Sequence, residues 1–213
     1  FRVRPSGRVG PLTIGGLQVA GTRVCSPAPV AIGIRGSTDV TIRGVRIGAA
    51  PACGYRTGID VAHSSATIRH DEVTDFLSRG IVARAASDVG IDTSAVRFLH
   101  TRRDEALPGA TLDAQATGVV IDGAAAARMR SISVRSPPRH AGKRLPDADD
   151  ELPTLLWAGI DITDTSGSVT IRGDSVITRT WRYGIRVLRS SDVAIIDTLV
   201  RDTFGDGYSF DGV

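Results

Sequence analysis

The residues in this sequence whose type and spacing could do chemistry are mostly arginines. Lys143 is the only lysine, so the basic balance of a chain with formal net charge +3 is carried by guanidinium groups. Arginine follows a central aliphatic or methionine residue in the phrases ending at Arg43, Arg69, Arg130 and Arg172, and Arg128 precedes one. Asp92 and Ile196 take the same place in two further phrases. A planar fork of donors grips carboxylate, sulfate or phosphate bidentately. A row of such forks suits an extended polyanion, a uronate or sulfated glycan, and an acidic polysaccharide is the expected partner. The same row also reads as ordinary soluble strand surface. Nucleic acid is not expected, because no aromatics alternate with the arginines to stack bases.

Proton transfer would fall to His100 and His140, since imidazole changes charge near neutral pH. Each stands in a long stretch rich in charge, 100–116 with Arg102, Arg103, Asp104 and Glu105, and 136–157 with Lys143, Asp149, Asp150 and Glu151. Long loops on a rigid scaffold commonly carry function, although the second stretch also reads as a surface loop with self-compensating charge. Trp157 and Trp181 form a sugar-stacking platform if exposed, and a covered corner if packed. Asp60 and Asp161 read as solvated carboxylates on a strand face, too far apart to act as a hydrolase pair. Cys25 and Cys53, 28 residues apart, are read as a disulfide of an oxidising compartment or as two stacked thiols. No Cys-x-x-Cys or paired histidine accompanies them, so neither a metal nor another cofactor is expected.

The elements that must position these residues follow from repetition. A phrase of alternating apolar residues recurs as Leu12/Ile14/Val19, Val40/Ile42/Ile47, Ala66/Ile68/Val73, Val89/Ile91/Val96, Ala127/Met129/Val134, Val169/Ile171/Val176 and Val193/Ile195/Val200. Glycine followed by an aliphatic precedes six of them, at Gly33, Gly58, Gly80, Gly118, Gly159 and Gly184, and Gly207-Tyr208 opens another. Period-two alternation of Val, Ile and Thr, broken by Gly, Ser and Asp, predicts short half-buried strands. It outweighs the local helix preference of Ala124 to Ala127. Residues one and three after each glycine should point inward and residues two and four outward, Arg35 and Ser37 among the latter.

Such coils of alternating strands resemble the right-handed parallel β-helix, the pectin-lyase-like architecture, from Leu12 to Val213. The resemblance implies an all-β solenoid of about seven coils, one domain over 1–213, with the two long stretches as loop insertions and the chain expected to be a fragment of a longer one. No stretch approaches the roughly 18 apolar residues of a membrane span. Aspartates paired on one strand, as in polygalacturonases, and clustered carboxylates, as in calcium-dependent pectate lyases, are absent. The segment Gly207-Tyr208-Ser209-Phe210-Asp211 resembles the Tyr-Gly-Phe-Asp-Pro-His motif of alginate C5-epimerases, which implies Tyr208 and Asp211 as acid–base and charge-neutralising groups; Gly212-Val213 stands where that motif has Pro-His. Two functions are left open. One is a secreted β-helix that binds and processes an acidic polysaccharide by lyase, hydrolase or epimerase chemistry. The other is a non-catalytic repeat region of a surface or adhesive protein. Oligomeric state is not legible.

Overall fold

The computed structural model describes residues 2–3, 11–20, 30–48, 55–74, 76–86, 88–98, 115–136 and 156–211. These form three sheets in which every pairing is parallel. The first sheet contains β1 (Arg2–Val3), β4 (Val30–Arg35), β7 (Tyr55–Ala62), β10 (Phe76–Arg84), β13 (Thr117–Asp122), β16 (Leu156–Thr163), β19 (Thr180–Leu188) and β22 (Asp206–Asp211). The second is built from β2 (Leu12–Gly15), β5 (Val40–Arg43), β8 (Ser65–Arg69), β11 (Asp88–Asp92), β14 (Ala127–Arg130), β17 (Val169–Arg172) and β20 (Val193–Ile195). The third has β3 (Gln18–Ala20), β6 (Arg46–Gly48), β9 (Glu72–Thr74), β12 (Ala95–Arg97), β15 (Ser133–Arg135), β18 (Ser175–Thr178) and β21 (Thr198–Arg201). Each strand pairs with the strand three places along the chain. The molecule is therefore all-β and parallel in the manner of a solenoid, each coil covering the apolar face of the last.

The core is the inner face of all three sheets. Ile42, Ile68, Ile91, Met129 and Ile171 stack along the second sheet, each at most 1% exposed. Ile59/Val61, Ile81/Ala83, Val119/Ile121 and Ile160/Ile162 line the first sheet at 0%. The repeat glycine is needed for close approach. At Gly58, Gly80, Gly118, Gly159 and Gly184 an added Cβ would overlap a methyl of Val73, Val96, Val134, Ile177 and Val200, respectively, and stand 2.5–2.7 Å from the carbonyl oxygen of the next glycine in the stack. The β-branched rung of the third sheet thus packs directly on the backbone of the first.

Side chains staple the corners between coils. The Ser37 N–H donates to Ser64 Oγ at 3.1 Å, Thr165 N–H to Ser190 Oγ at 3.1 Å, and Asp71 N–H to Ser94 Oγ at 3.3 Å. Such bonds satisfy backbone groups that a buried turn would otherwise orphan.

Two registers differ from the sequence reading. Gly33 pairs with Asp60, not with Gly58, and Arg35 with Ala62; Ala31 therefore occupies the glycine column. A slip of two residues keeps every side chain on its face, so alternation alone is blind to it. Ser37, read as outward, is a buried corner residue. In the third sheet Ile177, not Val176, stacks on Val134 and Val200. The turn at Gly173-Asp174 carries one residue more than its counterparts, and buried Ser175 fills the extra place, accepting from Ile132 N–H and donating to Arg172 C=O.

Candidate functional site

The outer face of the second sheet carries the arginine row. Gly15, Arg43, Arg69, Asp92, Arg130 and Arg172 stack in one column, and Thr13, Thr41, Thr67, Gly90, Arg128 and Thr170 in the next. Parallel strands stand about 4.8 Å apart, so Arg43 and Arg172 are separated by roughly 19 Å. A depression of about 720 Å³ lies over the middle of the face, lined by Thr67, Arg69, Gly90, Asp92, Arg130 and Arg172. Its floor is open because Gly90 has no side chain. A Cβ there would meet only the Thr67 side chain, at 3.7 Å. Arg128 leans across the rim to an ion pair with Asp88.

Several arginines of the other two sheets are held by carboxylates. On the first sheet Asp60 receives Arg84 bidentately at 3.2 and 2.6 Å and Arg35 at 3.5 Å. Asp161 receives Arg186 at 2.9 and 2.7 Å, and Arg189 binds Asp164, whose carboxyl is held below its ordinary range by that hydrogen bond. Arg46 and Arg97 share Glu72 on the third sheet. Arg43, Arg69, Arg130 and Arg172 form no ion pair among the described residues, although Asp92 stands in their own column.

Asp60 and Asp161 correct the reading of them as solvated carboxylates. They do face outward, three rungs apart, but are only 1% and 8% exposed, covered in part by the guanidinium groups they bind. Alternation tells which face a residue takes, not what lies over that face.

Trp157 and Trp181 pack against different partners. The strand of Trp181 carries a bulge, so that Leu156 pairs with Thr180 while Ala158 pairs with Tyr183. Trp157 meets Tyr183 edge-on, centroids 5.1 Å apart, under the Arg186 guanidinium at 4.6 Å. Trp181 stacks on Phe204 at 5.9 Å. Both rings are half-buried and packed. Asp211 ends β22 and is exposed, whereas Tyr208, three residues away, takes the inward parity and donates its hydroxyl to the Thr198 carbonyl at 3.2 Å. The two side chains of the epimerase-like segment thus lie on opposite faces of the strand. His100, His140, Cys25 and Cys53 lie outside the described residues.

A second depression, of about 500 Å³, sits at the corner of the second and third sheets, lined in part by His70, Asp71, Glu72 and Arg97. Asp71 is 2% exposed. Its Oδ1 accepts the Val45 N–H at 2.6 Å, while Oδ2 has no hydrogen-bond partner among the described residues. Burial pushes its carboxyl up to about 6, against the opposing pull of the Val45 hydrogen bond, the nearby Arg69 backbone and His70. Neither Asp71 nor the Asp88–Arg128 pair was apparent from the chain. Parity alone would have put Asp88 on the arginine face, two residues before Gly90.

No protein-family model matches the sequence, and no curated protein matches it significantly. Among solved structures, an alginate lyase from Paenibacillus sp. str. FPU-7 is similar over 99% of this chain and 82% of its own, with 13% identity and a TM-score of 0.33.

Proposed function

We propose that this chain is a secreted or cell-surface, right-handed parallel β-helix of about seven coils with two loop insertions, and that it binds an acidic polysaccharide along the outer face of the second sheet. The observation that carries the reading is that Arg43, Arg69, Arg130 and Arg172 stack in one column and form no ion pair among the described residues, whereas Arg35, Arg84, Arg186 and Arg189 on and beside the first sheet are held by aspartates. A row of free guanidinium groups repels itself, and an extended polyanion relieves that repulsion while filling their donor forks. The rung spacing is about the length of one sugar residue, so successive units of a glycan chain can meet successive arginines. Thr41, Thr67 and Thr170 offer hydroxyls alongside.

Binding is the part the groove supports. Acid–base chemistry needs groups within hydrogen-bond reach of one substrate atom, and among the described residues lining the groove there is no histidine. Turnover would therefore require His100 or His140 to reach this face. Without that, the reading is a non-catalytic binding region of a surface protein.

The test is equilibrium binding to polygalacturonate, alginate and a sulfated glycan, with dextran as the neutral control and ultraviolet absorbance following any unsaturated product. Binding should weaken as salt rises. Arg43→Ala/Arg69→Ala/Arg172→Ala should weaken it roughly tenfold to a hundredfold, at about 0.5–1 kcal/mol per exposed charge pair. An unchanged affinity in the triple variant would remove the stripe from any function.

A further inference from the structure

The arginine column is interrupted at its centre, and the interruption has a chemistry of its own. Asp92 stands between Arg69 below and Arg130 above, each about one rung, 4.8 Å, away along the sheet. It forms an ion pair with neither among the described residues. Its Oδ1 accepts the Thr93 hydroxyl at 3.0 Å, and a carboxylate has lone pairs to spare beyond one such bond. Asp92 is therefore not tied up in an ion pair with its neighbours among the described residues. It presents acceptor capacity to the depression, beside the open floor left by Gly90.

We infer that the depression over Gly90 is a subsite for an uncharged, hydroxyl-bearing sugar unit, and that Asp92 makes the stripe select acidic glycans in which charged units flank an uncharged one. The inference rests on the reading of the stripe as a glycan-binding face and names the class of glycan it prefers. A uniformly charged chain laid along the column would press one of its anions against Asp92, and like charges at contact destabilise even near water. A unit bearing only hydroxyls donates to the same carboxylate instead. Its ring has room where Gly90 lacks a side chain, with the Thr67 hydroxyl on one side. On the other side Arg128, already occupied by Asp88, adds no free cation to offset Asp92. The pattern along the face is thus two cations, an acceptor, then two cations, with no ion pair among the described residues.

The experiment compares fully de-esterified polygalacturonate with polygalacturonate about half methyl-esterified and matched in length, at one ionic strength. Wild type should bind the half-esterified polymer at least as tightly, despite its lower charge. Asp92→Asn should tighten binding of the fully charged polymer roughly fivefold to tenfold and leave the half-esterified one nearly unchanged. Asp122→Asn, an equal charge change on the first sheet, should alter neither, and Asp92→Ser repeats the test with a second side chain. A gain of the same factor for both polymers in Asp92→Asn, or no gain at all, overturns the subsite. In that event, if wild type binds both polymers and loses both in the triple arginine variant, only the subsite has failed. If wild type binds neither, the stripe reading fails with it.

Discussion

Asp71→Asn should stabilise this protein at neutral pH. The Asp71 carboxyl is buried, bonds one backbone N–H through Oδ1, and leaves Oδ2 unpartnered among the described residues. Its counterpart one coil on is Ser94, whose hydroxyl accepts the Asp71 N–H and donates to the Asp92 carbonyl. A protonated Asp71 can do both as well, accepting from Val45 and donating through Oδ2–H. The ionised form cannot donate, and keeps an unsatisfied, desolvated oxygen. Burial raises the carboxyl from 3.8 to about 6, and the unpartnered oxygen is consistent with that direction.

A folded-state value above the unfolded one means that folding favours the protonated acid. The associated stability is fully present below about pH 4, falls as pH rises, and is gone above about pH 6–7. Roughly two pH units at 1.36 kcal/mol each give about 3 kcal/mol, and solvent reaching the adjoining depression reduces this to about 1–3 kcal/mol. Urea denaturation of wild type and Asp71→Asn between pH 4 and 8 measures it directly. The difference between the two should grow with pH in favour of the amide, whereas Asp71→Ala, which orphans the Val45 N–H, should be less stable by about 1–3 kcal/mol even at low pH. Parallel stability curves for wild type and Asp71→Asn would refute the neutral-acid argument.

Gly118→Ala should cost about 3 kcal/mol or prevent folding, since its Cβ would overlap Val134 and stand 2.6 Å from the Gly159 carbonyl in a region with no room to relax. Gly90→Ala, by contrast, should leave the urea midpoint nearly unchanged while weakening glycan binding by filling the floor of the groove. Asp161→Ala removes the bidentate partner of Arg186, itself seated on Trp157, and should cost about 1–3 kcal/mol and shift tryptophan fluorescence on loss of the cation–π contact. If Cys25 and Cys53 are joined, the denatured, unreduced protein should titrate no free thiol, and reduction should lower stability by about 3–4 kcal/mol, the chain-entropy value for a loop of 28 residues.

Parity was legible throughout the chain, and register along most rungs, the column from Arg43 to Arg172 included, but not at two places. Strand residues alternate with a period of two, so Ile59, Val61, Ile68 and Ile91 announce themselves as core whichever coil they stack on. The same periodicity hides the two-residue slip that puts Gly33 beside Asp60, and an added turn residue moves the rung from Val176 to Ile177. The site depends on exactly the quantity that parity omits, the identity of the neighbour one coil away. Arg84 and Arg69 are indistinguishable as outward arginines on strands. Arg84 stands beside Ala62, two residues along from Val82, the register partner of Asp60, and is tied to Asp60, while Arg69 stacks between Arg43 and Asp92 and its side chain is ion-paired with nothing among the described residues. Asp60 and Asp161 looked like exposed acids for the same reason, since the arginines that bind them lie about 25 residues away along the chain. An arginine-rich composition offers a row of cations only where stacking brings arginines into one column without such partners, and among the described residues Arg43, Arg69, Arg130 and Arg172 on the second sheet are so placed.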